Sequence, residues 1–323
     1  MRKALLIGIN EYKSARLNCC VNDVKSMKSV LEYHFNGSKN FHTKILLDEK
    51  ATRSKIRENI KDLFSGEGEI ALLYFSGHGC DDDSTDGIII SYDYEENDYG
   101  IKMSEILSEA NKSKFSYKII ILDCCHSGYL GNSGIMGDTS YLNNGVVIMT
   151  ASKKNEYAGE INGHGIFTNL VLEAINGGAT DILGNITPGS IYSYIDQALG
   201  PWSQRPLFKA NISSFISLKQ CEPKITINEL KDCLNLFLND DSIYSLDPSF
   251  EKTNTLGSIH RTSEPFAKDA NVELFSKLQK CNRNGLIIPY EASDMYFAAM
   301  ESKGCKLTPL GKHYWKMMKE NII

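Results

Sequence analysis

Two short stretches hold the residues able to do covalent chemistry: Ser76-Gly77-His78-Gly79 and Asp123-Cys124-Cys125-His126-Ser127-Gly128. Each follows an apolar, largely β-branched run, residues 70–75 before the histidine and 118–122 before the cysteines. Open α/β sheets present reactive groups in this way, at the carboxyl edge of buried strands. Adjacent strands of this kind bring an imidazole to a thiol, and a base beside a thiol holds it as the nucleophilic thiolate. Strand alternation puts Cys124 on the face opposite Cys125, in the core, and turns His126 away from it. His78 is therefore the base and Cys125 the nucleophile. Three adjacent residues of an extended strand do not converge on one metal and there is no CxxC pair, so no zinc site is expected here.

Such groups need a rigid frame, and the first two-thirds of the chain supplies the pattern for one. Strands are expected at 4–10, 43–47, 70–75, 118–122, 145–152 and 206–210, alternating with helices at 22–35, 52–64, 103–111, 167–175 and 188–198. That alternation predicts an α/β fold, a mostly parallel central sheet with helices on both faces. The pattern changes near Pro223, dividing the chain into domains 1–222 and 223–323. The second, smaller and mainly helical, has helices at 227–238, 267–278, 293–301 and 312–321, the last started by a Thr308 hydroxyl cap and Pro309. Residues 240–265, polar and turn-rich, read as a linker or long loop.

The 323 residues have a net charge of −5, which argues against a general binder of nucleic acid or membrane surfaces. No apolar run approaches membrane-spanning length, and residues 1–10 read as a first strand rather than a leader. Nine cysteines without regular spacing favour a reducing cytoplasm over a disulfide framework.

Four segments together, Leu17-Asn18-Cys19-Cys20-Val21-Asn22-Asp23, Tyr74-Phe75-Ser76-Gly77-His78-Gly79, Asp123-Cys124-Cys125-His126-Ser127-Gly128 and Gly163-His164-Gly165-Ile166-Phe167-Thr168, resemble the caspase-fold cysteine peptidases (clan CD, C14 type), in particular the metacaspase-like branch and its bacterial-type homologues. The resemblance spans about residues 1–215, and a histidine about 50 residues upstream of the nucleophile is part of the caspase signature. It implies attack by the Cys125 thiolate on a peptide carbonyl, with His78 protonating the leaving amine. Backbone N–H groups of Gly79 and Cys125 would form the oxyanion hole, and water would then hydrolyse the acyl-enzyme.

Specificity is expected to be basic. Asp123 lies two residues before Cys125 on the same strand face, and the resemblance places Asp23 with it on a pocket floor, with Ser76 and Cys20 at further pocket positions. Two carboxylates facing one pocket repel unless a guanidinium or ammonium enters between them, so cleavage after Arg, with Lys second, is expected. Asp23 reads alternatively as a favourable charge at a helix N-terminus. No cofactor is required. Many metacaspases are calcium-activated, and the acidic stretch Asp81, Asp82, Asp83, Asp86, Asp93 and Asp98 is either an activating Ca2+ site or simply a solvated loop. Residues 128–144 contain no Lys or Arg, so self-cleavage is expected instead at Lys219, Lys224 or Arg261.

The C-terminal part weakly resembles a winged helix. Its basic last helix (Lys312, His313, Lys316, Lys319) suits protein docking better than nucleic acid, implying an upstream activator or sensor and, by analogy with bacterial relatives, a cell-death or anti-phage effector. The alternative is a catalytically silent caspase-fold scaffold or adaptor.

Overall fold

In a computed structural model, residues 1–81, 86–96, 98–124, 141–151, 160–161, 163–199, 206–257, 259 and 262–323 are described. They form two compact units, Met1–Glu222 and Pro223–Ile323.

In the first unit the chain runs through β1 (Arg2–Gly8), α1 (Cys20–Glu32), β2 (His42–Leu47), α2 (Arg53–Phe64), β3 (Ile70–Ser76), β4 (Gly79–Asp81), β5 (Gly87–Glu95) and β6 (Asp98–Lys102). It continues with α3 (Met103–Lys112), β7 (Tyr117–Asp123), β8 (Val146–Thr150), β9 (Glu160–Ile161), β10 (His164–Gly165), α4 (Ile166–Glu173), β11 (Asn185–Ile186), α5 (Pro188–Ala198), β12 (Leu207–Asn211) and β13 (Lys219–Gln220). Six of the strands make one sheet in the order β12-β8-β7-β3-β1-β2. All neighbours are parallel except β12, which runs antiparallel to β8.

The continuous apolar runs of β3 and β7 are buried at every residue because both sheet faces are covered. Alternation divides their side chains between two cores. Leu72, Tyr74, Ile119 and Ile121 pack with Val24, Met27 and Leu31 of α1, Val171 of α4 and Ile191 and Ile195 of α5. Leu73, Phe75, Ile120 and Leu122 pack with Ile56, Ile60 and Leu63 of α2 and Ile106 and Leu107 of α3. The same parity carries Ser76 and Asp123 to the α1 face, and the register makes them direct partners across β3 and β7. Cys124 is buried in the other core, with Leu122.

Helix starts follow local chemistry. The Thr52 hydroxyl accepts from Lys55 N at the head of α2, and Thr187 and Ser190 form a reciprocal capping box on α5.

The second unit contains α6 (Ile227–Leu234), β14 (Ile243–Ser245), α7 (Asp269–Arg283), β15 (Ile287–Tyr290), α8 (Met295–Met300), β16 (Gly304–Leu307) and α9 (Pro309–Lys319). Its helices are joined by a three-stranded antiparallel sheet, β14-β16-β15. Thr308 caps α9, its hydroxyl accepting from Gly311 N at 3.0 Å.

Two stretches expected as loops are ordered by strand pairing. Within 240–265, β14 pairs with β16, Leu246 and Phe250 are buried, and Asn254 Nδ2 lies 2.8–3.1 Å from the carbonyls of Pro248, Ser263 and Pro265. The acidic stretch after His78 is largely a sheet, β4-β5-β6. Among the described residues no helix is long and apolar enough to cross a membrane.

Candidate active site

β3 ends at Ser76 and β7 at Asp123, side by side, and the Gly77 amide donates to the Asp123 carbonyl at 3.2 Å. His78 and Cys125 each follow this pair by two residues in sequence; Cys125, with His126, Ser127 and Gly128, lies outside the described residues. His78 itself is half-buried and held from three sides. Its amide donates to the Tyr12 phenol oxygen at 3.0 Å, and its carbonyl accepts from Ile90 N at 3.0 Å. Its ring centroid lies 4.6 Å from that of Tyr12.

The third hold sets the tautomer. His78 Nε2 lies 2.5 Å from the Ala15 carbonyl oxygen, which can only accept. Nε2 therefore carries the proton, and Nδ1 is the basic nitrogen of the neutral ring. Ala15 has φ +57°, a left-handed conformation costing about 1–2 kcal/mol for a residue with a Cβ. Asp48 braces the start of this loop, accepting from Asn10 N at 2.7 Å and Glu11 N at 3.0 Å. Burial pushes the Tyr12 phenol well above its ordinary range, so it stays neutral and donates to the Ile90 carbonyl at 3.2 Å. Gly77 is required here, since a Cβ would sit 2.5 Å from the Tyr12 hydroxyl. Gly79 opens β4, paired with Ile89.

Next to this histidine, on the α1 face, the structure brings Asp23, Asp123, Ser76 and Cys20 together. All four are buried, Asp23 being 1 % exposed. Ser76 Oγ donates to Asp23 Oδ2 at 2.9 Å and is hydrogen-bonded to the Cys20 thiol, whose pKa burial pushes up to about 12. Thr168 gives Asp123 Oδ2 two hydrogen bonds, from its hydroxyl at 2.6 Å and its amide at 3.3 Å, and Tyr74 meets the same hydroxyl at 2.6 Å. Burial, and then the negative charge of Asp23, raise the Asp123 carboxyl to about 6. Asp23 is also raised by burial, an effect opposed by donors from His164, Ser76 and the Gly165 amide. Asp23 stands in the first turn of α1, so the helix-terminus reading describes its position as well.

His164, Thr168 and Tyr12 are the neighbours that residue-level reasoning did not single out. The Gly-His-Gly run directly before an apolar helix was the available signal for the first two. For Tyr12 there was none beyond an aromatic residue just after the first strand.

Three of the acidic candidates have partners within the first unit. Asp86 accepts from the Ser104 amide at 3.2 Å and its hydroxyl at 2.5 Å, Asp93 accepts from Arg53 N at 2.7 Å, and Asp98 pairs with the Arg53 guanidinium. Asp82 and Asp83 lie outside the described residues. Among the described residues no three His, Cys, Asp or Glu side chains are grouped to hold a metal ion. On α9, Lys312 pairs with Asp241, and Lys316 with Asp240 at 3.3 Å. Of the residues expected to be self-cleaved, Lys219 is half-buried in β13, paired with Ile186, Lys224 is exposed, and Arg261 lies outside the described residues.

Residues 1–214 match the caspase domain family, Peptidase C14. Over 149 residues the chain is 31% identical to metacaspase-2 of Trypanosoma brucei brucei, covering 39% of this chain and 41% of that protein. It is 30% identical over 146 residues to metacaspase-1 of Eremothecium gossypii, covering 39% and 32%. The match thus spans less than half the length of these relatives. A crystal structure of a Geobacter sulfurreducens protein resembles the chain in fold, with a TM-score of 0.50 at 18% identity over 70% of this chain and 99% of that one.

Proposed function

The chain belongs to the caspase domain family of C14 cysteine peptidases, and from that premise we propose an endopeptidase that cleaves proteins after Arg, with Lys second. In this reading Cys125 gives its proton to His78 Nδ1 and the thiolate attacks the carbonyl carbon of the scissile peptide. The resulting oxyanion is held by the Gly79 and Cys125 amides. As the C–N bond breaks, the imidazolium returns the proton to the leaving amine. Water, deprotonated by the same ring, then hydrolyses the thioester. The chemistry needs no metal; loss of rate in chelator, restored by added Ca2+, would instead make calcium an activator.

The observation that carries the specificity is the buried pair Asp23 and Asp123. Their charges are met by hydroxyl, amide and imidazole donors, with no lysine or arginine bound to them among the described residues. Both carboxyls sit above their ordinary range, so a cation entering between them restores the ionised forms that burial penalises. A guanidinium, with its planar fork of donors, suits carboxylates better than an ammonium.

An electrophilic peptide ending in Arg tests the reading. Selective modification of Cys125, abolished by His78→Ala, is the expected result; equal labelling of every cysteine would point to a silent scaffold. We further propose a reducing compartment, consistent with the buried thiols Cys233, Cys281 and Cys305, and control of the peptidase by the second unit through an upstream protein.

A further inference from the structure

His164 lies over a carboxylate assigned above to substrate recognition, and the mechanism does not use it. Its side chain is 15% exposed while Asp23 beneath it is 1% exposed, so it forms the solvent side of that carboxylate. His164 Nδ1 lies 2.7 Å from Asp23 Oδ1, whose other oxygen is taken by Ser76. The Gly165 amide adds a third donor to Asp23. The backbone before the imidazole is anchored to α1, with Asn22 Nδ2 donating to the Gly163 carbonyl at 2.8 Å and lying 3.4 Å from His164 Nε2. Four residues on, Thr168 fixes Asp123 in the same way, and Gly165 between them leaves no room for a Cβ, which would lie 2.6 Å from Asp123 Oδ2. One short segment, 164–168, thus orients both carboxylates.

We infer that His164 is a positioning residue for specificity: donation from its Nδ1 locks the Asp23 carboxylate in the plane that an arginine fork requires. This rests on the basic-pocket reading given above. An ammonium is a point charge and tolerates a carboxylate that swings, whereas paired guanidinium bonds need a fixed one. Losing the lock therefore costs Arg substrates more than Lys substrates.

Kinetics of full-length His164→Asn and His164→Gln on matched Arg-ending and Lys-ending peptides test the inference, with thermal unfolding recorded for each. The Asn amide nitrogen falls where Nδ1 sits, while the Gln amide reaches past it. His164→Gln should raise KM for the Arg peptide about tenfold and lower the Arg:Lys ratio, with the loss in KM rather than kcat. His164→Asn should return both toward the wild-type values. Asn and Gln variants that behave alike, or a loss confined to kcat, would overturn the inference while the wild type still cuts after Arg. A wild type that cuts neither basic peptide would overturn the pocket reading and this inference together.

Discussion

With its carboxyl held at about 6 against an ordinary 3.8, Asp123 binds a proton in the folded chain at pH values where the unfolded chain has released it. Folded protein therefore holds more protons between about pH 4 and 6, and the contribution of Asp123 to stability falls as pH rises through that window. Asp123→Asn should remove the slope and stabilise the protein at pH 7.5 by on the order of 1–2 kcal/mol, as read by denaturant unfolding. It should also cost Arg-directed kcat/KM at least about a hundredfold. In the wild type, KM for an Arg peptide should rise as pH falls through about 6, because a protonated Asp123 offers no charge; a flat KM from pH 5 to 8 contradicts the pocket. Tyr12→Phe keeps the ring against His78 but removes the oxygen that accepts its amide. It should destabilise by about 1–2 kcal/mol and lower kcat several-fold, measured by unfolding and steady-state kinetics. Ser76, His78 and Asp123 were legible as neighbours because each ends a strand or follows one, whereas Asp23 was set beside them only by the resemblance. His164 and Thr168 were not legible, since their partners lie 141 and 45 residues away in sequence.

Elements built from local signals were legible to within a few residues. Buried parallel strands such as β3 and β7 announce themselves by continuous apolar runs, and the helices by threonine caps at Thr52, Thr187 and Thr308. Elements that exist through distant pairing were not. β14, Ile-Tyr-Ser, is three residues long and mostly exposed, and is a strand only because β16 lies beside it. β5 and β6 carry acidic residues whose partners, such as Arg53 for Asp93 and Asp98, come from α2. The stretch between β14 and α7 is tied down chiefly by Asn254, which is 1% exposed. Asn254→Ala leaves its carbonyl partners unmet and should destabilise the second unit by about 2–3 kcal/mol, measured by hydrogen exchange across β14 and β16.

For the molecule as a whole, the change at Glu222–Pro223 separates an α/β unit holding every proposed catalytic and pocket residue from one that holds none of them. A basic cleavage preference has a consequence for the chain itself, because Lys224 is exposed just beyond that boundary. Incubated wild-type protein should yield a fragment ending at Lys224, absent from Cys125→Ala, by intact-mass analysis. A cut within residues 128–144, which hold no Lys or Arg, would contradict the specificity. The most direct test is kcat/KM on two fluorogenic peptides that differ only in Arg or Asp before the scissile bond. Cleavage of the Arg peptide at least about a hundredfold faster, lost in Cys125→Ala and in Asp123→Asn, is the result predicted; cleavage of the Asp peptide with the Arg peptide untouched would contradict it.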